Sequence, residues 1–336
     1  MPSLTTTIYD PSLCTPSWWR DAPQTLPITW RGRLARGYYR TVIGLSRLLP
    51  KSDLTDPNFD WDRFRRFVDA SDAFIAVMPK GVHSETVNIG EIEAEWFTEA
   101  DVPTPVRTVL YVHGGSYILG RSRLHDVLAA NLAKDAEARV LAVDYRYAPE
   151  HPFPKPIEDV VASYIELLED GVAPENIAFF GDSAGAGLAL AALMVLRDTD
   201  QPLPAAYVAL CPWADLTFSG ASIIENADAD PFMSNTEAVS IFAELYLQGT
   251  PASHPLASPA LADLHGLPDT LVHVGSTDLL LDDSRNIVAN MRKAGGNARL
   301  DIWQAMPHVW QRLQAFIPEA ECSMASIAHF LKRRIP

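Results

Sequence analysis

The sequence predicts an α/β protein: a mostly parallel sheet with helices packed on both of its faces. Three observations predict it. Short apolar, β-branched runs alternate with helical patterns over most of the chain. One connection between two such runs is far longer than the others. The pentapeptide Gly181-Asp182-Ser183-Ala184-Gly185 sits where an apolar run meets an alanine- and leucine-rich helical stretch. Strands that alternate with helices build βαβ units, and parallel strands of that kind are covered on both sides.

Residues 1–30 are rich in proline, threonine and tryptophan, with Trp18, Trp19 and Trp30 set among turn formers. Residues 31–50 then read as a helix, with Leu34, Tyr38, Val42, Ile43, Leu45 and Leu49 interleaved with Arg31, Arg33, Arg36, Arg40 and Arg47. Such a basic amphipathic segment could lie on an anionic membrane. Our preferred reading is a cap helix whose apolar side covers a site entrance, so residues 1–55 are expected to form an N-terminal cap segment and residues 56–336 the main domain. From Val87 to Phe97 apolar and polar residues alternate around Gly90, which predicts a hairpin. Strands are predicted at 108–112, 139–144, 177–180, 207–210, 271–274 and 299–303, with helices between them at 126–134, 157–168 and 188–197. About sixty residues separate the runs ending at Leu210 and beginning at Leu271, too many for a simple crossover. An inserted cap element over about 213–255 is the expectation there, with a helix near 237–247.

Composition bounds the function. The 336 residues are 48% hydrophobic and 21% charged, ordinary for one large globular unit with an insertion. A net charge of −15 with a pI near 5.0 argues against nucleic acid as a partner. Cys14, Cys211 and Cys322 are odd in number and widely spaced, predicting neither a disulfide framework nor a metal site, and so a reducing compartment. Residues 1–10 show no basic stretch followed by an apolar core, and no run reaches the roughly 18 apolar residues of a membrane span. The expected location is the cytoplasm.

Acyl transfer needs a nucleophile, a base to deprotonate it, a carboxylate to orient that base, and donors for the developing oxyanion. On α/β-hydrolase folds the nucleophile occupies a sharp strand-to-helix turn, and the chain order is Ser, acid, His. Ser183, Asp278 and His308 meet that order. Asp278 lies just past the strand 271–274, at the carboxyl edge where such sheets open their ligand crevice. Asp282 and Asp283 compete with it, but they precede a helix at 284–293 and fit first-turn charges. His308 follows the last strand. The loop His113-Gly114-Gly115-Ser116-Tyr117 directly follows the strand 108–112, where glycine-rich backbone can turn its N–H groups inward beside that of Ala184. The other seven histidines lack a comparable setting.

Taken together, His-Gly-Gly-Ser-Tyr at 113, the block from Asp144 to Pro154, Gly-Asp-Ser-Ala-Gly at 181, Asp278 with Asp282, and Met306-Pro307-His308 resemble the bacterial hormone-sensitive-lipase-like esterases. The resemblance implies an α/β-hydrolase fold with a helical cap, and a serine carboxylic ester hydrolase acting on short to medium acyl esters. It implies Ser183 as nucleophile, Asp278 as acid, His308 as base, and the backbone of Gly115, Ser116 and Ala184 as the oxyanion hole. It implies no metal and no organic cofactor. Residues 284–290 and 306–311 are also similar to monoterpene ε-lactone hydrolases, so a lactone is an alternative substrate. Two positions depart from the family pattern: Ser116 stands where a third glycine is usual, and Val309 where glycine is common. In the Asp144–Pro154 block, Arg146 and Glu150 read as members of a buried ion-paired turn bracing the oxyanion loop rather than as substrate contacts. Asp182 likewise reads as structural. A peptidase or amidase would share the triad, and a ligand-binding protein could use the same fold without the base. Homodimers are common in the family, with the last strand and the helix at 324–332 as contact surfaces.

Overall fold

In the computed structural model, which describes residues 6–9, 54–56, 58–100, 106–230 and 236–336, successive side chains of the central strands enter two separate hydrophobic cores. The strands are β1 (Thr6–Tyr9), β2 (Val82–Ile89), β3 (Ile92–Glu99), β4 (Thr108–Val112), β5 (Arg139–Val143), β6 (Ile177–Asp182), β7 (Ala206–Leu210), β8 (Asp269–Gly275) and β9 (Ala298–Trp303). They form one nine-stranded sheet in the order β1-β9-β8-β7-β6-β4-β5-β3-β2. Only the pairings β2–β3 and β3–β5 are antiparallel; the others run parallel.

The period-two geometry of a strand explains the two cores. In β4, Leu110 and Val112 join one cluster while Val109 and Tyr111 join the other; in β6, Phe179 and Phe180 divide the same way. The first face is covered by α3 (Lys155–Glu169), α4 (Ala184–Asp198) and α7 (Leu281–Lys293), through Val160, Leu190 and Ile287 among others. The second is covered by α2 (Arg123–Ala136) and α8 (Pro318–Arg334), through Leu128, Leu132, Ile327 and Leu331. Burying one such leucine or phenylalanine is worth about 1.5–3 kcal/mol. A strand with no polar face therefore has to be apolar at nearly every position, and that is the pattern the sequence displays.

Two elements differ from expectation. Strand β1 lies at the edge of the sheet along β9, so Thr6–Tyr9 belong to the sheet rather than to a cap, and the β9 edge proposed for dimer contact is occupied. The predicted helix at 31–50, with Trp18, Trp19 and Trp30, lies outside the described residues. A helix absent from the sequence prediction, α1 (Trp61–Ala73), begins at Asp60, whose side chain accepts from the Arg63 amide at 2.8 Å. Arg65 of α1 donates to Glu150 (2.7 Å), to the Ala148 carbonyl (3.0 Å) and to the Ile118 carbonyl (2.7 Å), fastening this helix to two loops at the carboxyl edge of the sheet. The long connection after β7 carries α5 (Ser222–Glu225) and α6 (Thr236–Leu247).

One covalent feature contradicts the cysteine reading. Cys322 is disulfide-bonded, whereas Cys211 is a free, buried thiol.

Candidate active site

All the parallel strands end on the same side of the sheet, so the segments that follow β4, β6, β8 and β9 converge there. Those segments carry the loop at 113–117, Ser183, Asp278 and His308. The link between β6 and α4 is a single residue, Ser183, at φ 53° and ψ −126°. That conformation is costly for a residue with a Cβ. It is held from several sides: the Ser183 amide donates to the Leu210 carbonyl at 2.8 Å, and its carbonyl accepts from Trp213 at 2.9 Å. The two flanking glycines are required for contact rather than for flexibility. A Cβ at Gly181 would stand 2.7 Å from the Ala186 Cα, and one at Gly185 would stand 2.1 Å from the Val112 carbonyl oxygen.

His308 Nε2 lies 2.8 Å from Ser183 Oγ, and His308 Nδ1 lies 3.0 Å from Asp278 Oδ2. A carboxylate only accepts, so Nδ1 carries the proton and Nε2 is left to accept the serine O–H. The three side chains that sequence order selected, 125 residues apart at their widest, thus form one relay. Asp278 is fully buried and is oriented by the Leu280 amide, which donates to Oδ1 at 2.9 Å. Burial pulls the His308 pKa down, but the Asp278 charge and hydrogen bond, with Asp230 behind them, outweigh it and hold the imidazole above its ordinary value.

The two competing carboxylates sit elsewhere, in the first turn of α7. Asp282 accepts from the Ser222 amide at 2.9 Å. Asp283, buried, accepts from the Ala214 and Asp215 amides at 2.9 Å each and so fixes the chain leaving β7.

The loop after β4 has three consecutive positive φ values: Gly115 at 114°, Ser116 at 55° and Tyr117 at 65°. Ser116 therefore does adopt the left-handed backbone that a glycine would take more easily. Among the described residues, no hydrogen bond is donated by the amides of Gly115, Ser116 or Ala184. The loop is braced from below by Asp182, which accepts from the Gly114 amide (3.0 Å), from the Tyr111 hydroxyl (2.6 Å) and from Arg312. It is braced from the side by Tyr145, whose hydroxyl donates to the His113 carbonyl at 2.8 Å while its ring stacks on the His113 imidazole at 4.5 Å. Tyr117 stacks on Tyr246 of α6 at 4.0 Å and donates to the Trp213 carbonyl at 2.9 Å. Arg146 pairs with buried Asp159, and Glu150 with Arg65, so the Asp144–Pro154 block is ion-paired as expected but not buried: Glu150 is exposed and Arg146 half-buried. In the long connection after β7, Phe218 packs 6.1 Å from Trp213.

Several site residues had no signal in the sequence. Arg312, Tyr111, Cys211 and Asp230 stand in no motif with a chemical reading, Tyr145 lies in the Asp144–Pro154 block without a role of its own there, and each acts through a partner remote in sequence. Cys211 Sγ accepts the Val309 amide at 3.3 Å, and with Asp278 and His308 it forms a buried group whose ligand-type atoms lie within 4.8 Å of one another. Those atoms are already committed to the relay and its support.

Comparison with known proteins agrees with this geometry. A family profile described as alpha/beta hydrolase fold matches residues 109–312. The chain is 45% identical to an acetyl-hydrolase of Streptomyces hygroscopicus over 248 residues, 74% of this chain and 82% of that protein. It is 35% identical over 223 residues to an esterase of Acinetobacter venetianus, 66% of this chain and 73% of that one. A solved esterase of the bacterial hormone-sensitive lipase family superposes on 93% of this chain and 100% of its own, with a TM-score of 0.83 and 38% sequence identity. The loop at 113–117, Ser183, Asp278 and His308 all lie within residues 109–312, and the chain belongs to the α/β-hydrolase fold family as a bacterial hormone-sensitive-lipase-like carboxylic ester hydrolase.

Proposed function

We propose that Ser183, His308 and Asp278 hydrolyse short to medium acyl esters through an acyl-enzyme. The observation that carries this reading is the unbroken relay from Ser183 Oγ through both nitrogens of His308 to Asp278. His308 takes the hydroxyl proton as Oγ attacks the carbonyl carbon. The oxyanion accepts from the amides of Gly115, Ser116 and Ala184, and the alcohol leaves with the proton from Nε2. Water then attacks the acyl-enzyme by the same route and releases the acid and the free serine. The relative named as an acetyl-hydrolase supports a small acyl group. So does the crowding of the loop by the Tyr117–Tyr246 stack. Residues 1–55 apart from strand β1, and about 213–255, are assigned to the cap over the acyl pocket, with α6 as its described part.

The test is a p-nitrophenyl ester series of increasing acyl length, with one ε-lactone as a separate arm and fluorophosphonate labelling as a stoichiometric count of reactive serine. Turnover is expected to be highest on acetate to butyrate and to fall with longer chains. A lactone turned over faster than every linear ester moves the assignment to the lactone hydrolases. Preference for long-chain emulsified triglyceride contradicts it.

The base must be neutral to accept the serine proton, and its pKa is raised above the usual 6.5. Activity is therefore expected to fall as pH drops through a midpoint above 6.5. A kcat/KM profile with its acid midpoint below that value contradicts the assignment of His308.

No described helix is long and apolar enough to cross a membrane. The disulfide at Cys322 removes the ground on which a reducing compartment was read from cysteine spacing, because such bonds persist in oxidising surroundings.

A further inference from the structure

The position of the base rests on backbone that does not hold itself. Val309, directly after His308, is β-branched yet adopts φ 42°. Left-handed backbone is disfavoured most for such side chains, so neighbouring contacts must impose it. Two amides in succession are captured there. The N–H of His308 donates to Asp230 Oδ2 at 3.2 Å, and the N–H of Val309 donates to Cys211 Sγ at 3.3 Å.

Asp230 is fully buried and comes from the long connection between β7 and β8. The turn that presents it also grips the acid. Asn226 Nδ2 donates to the Asp278 carbonyl at 2.7 Å, and the Asp230 amide donates back to the Asn226 carbonyl at 3.1 Å. One residue turn earlier, Ser222 Oγ donates to the Leu279 carbonyl at 2.7 Å. A single stretch from 222 to 230 thereby touches the peptide units of both acid and base.

We propose that Asp230 is a positioning residue for the base: it fixes the His308 peptide against Asp278 and Ser183, and places a second negative charge behind the imidazole. Burying a carboxylate is expensive unless it is hydrogen-bonded or paired, so a fully buried one at the base's own amide calls for a reason. An uncharged acceptor such as asparagine would make the same backbone bond at lower desolvation cost. The charge is what distinguishes Asp230. The charged and titratable groups facing His308 are Asp278 from the end of β8, Asp230 from the long connection, Cys211 from the end of β7 and Arg312 from the turn after the base. The two carboxylates favour the imidazolium and Arg312 opposes it. An imidazolium forms in each half-reaction, so a second carboxylate stabilises the charge that develops.

The inference rests on the triad assignment, and the experiment separates the two. Asp230→Asn, Asp230→Ala and Ser183→Ala are compared with wild type on p-nitrophenyl butyrate, recording kcat, KM and the pH dependence of kcat/KM. Asp230→Asn keeps an acceptor and loses the charge, so the acid limb is expected to move to lower pH with KM within about twofold of wild type. Asp230→Ala loses both, and kcat is expected to fall about 10- to 100-fold, the scale of a displaced catalytic group. An Asp230→Asn profile that superimposes on wild type, with kcat within twofold, overturns the proposal even if the alanine variant is impaired or unfolded. If Ser183→Ala stays active, the triad reading itself has failed; if it is inactive while Asp230→Asn is unchanged, only this inference falls.

Discussion

Ser183→Ala is expected to lower ester hydrolysis by at least about 10⁴-fold, the scale seen when a triad nucleophile is removed, while leaving the protein folded. The hydroxyl is the group His308 Nε2 contacts at 2.8 Å, and no other described hydroxyl is bonded to that nitrogen. Alanine keeps the Cβ, so the strained turn at φ 53° is neither relieved nor worsened, and the backbone bonds to Leu210 and Trp213 survive. What is lost is one buried polar atom in a mostly enclosed site, a change expected to move stability by no more than about 1 kcal/mol. The rate loss and the stability therefore separate cleanly. Members of a triad act as a unit, so Ser183→Ala combined with His308→Ala is expected to be scarcely slower than either alone. Rates on p-nitrophenyl butyrate, fluorophosphonate labelling and a thermal melt check all three statements. A variant that melts normally and hydrolyses at the wild-type rate ends the serine mechanism for this chain.

The relay was legible because each member sits one short step past a buried strand, and buried parallel strands announce themselves as continuous apolar runs. The limits of β4 follow from the sequence without adjustment. Those of β6 do not: the strand continues through Gly181 and Asp182, and a charged residue ends an apolar pattern even where the chain stays extended. Asp182 can be buried there only because Tyr111, Gly114 and Arg312 surround it, which no local pattern reveals. Helix α1 escaped notice for the opposite reason. Trp61, Phe64 and Val68 recur at helical spacing, but Asp62, Arg63, Arg65 and Arg66 crowd the same turns and Trp61 is its one buried residue. Such a helix is held by Arg65 reaching across to Glu150 and two carbonyls, contacts 53 to 85 residues away in sequence. Asp230 and Cys211 were silent for the same cause: support of a catalytic group is assembled from tertiary contacts, whereas the group itself obeys the topology of the sheet.

Arg312→Met is expected to destabilise the fold by about 3 kcal/mol, at the lower end of what breaking a buried ion pair costs, and to reduce kcat as well. Asp182 is completely buried, and Arg312 is the cation that compensates it. Removal of the guanidinium leaves the carboxylate with the Tyr111 hydroxyl and the Gly114 amide alone. Those two bonds are the reason for choosing the lower figure. Nor can His125 replace the lost charge, although it lies 2.6 Å from the guanidinium. Burial, then the Arg312 charge itself, pushes the His125 pKa well below its ordinary value, and burial persists after the substitution. The effect on rate follows from Gly114. Asp182 holds that amide directly, and a Cβ on Gly114 would stand 2.6 Å from the carboxylate, so any shift of Asp182 is passed to the loop carrying Gly115 and Ser116. Arg312→Lys restores the charge without the planar fork, and an intermediate stability is expected. Asp182→Asn combined with Arg312→Met tests the origin of the loss, because removing both charges should cost less than removing the arginine alone. Denaturant unfolding of the four proteins, with kcat on p-nitrophenyl acetate, measures this. If Arg312→Met lies within 0.5 kcal/mol of wild type, an approximate margin for surface substitutions, Asp182 is compensated by something other than this pair.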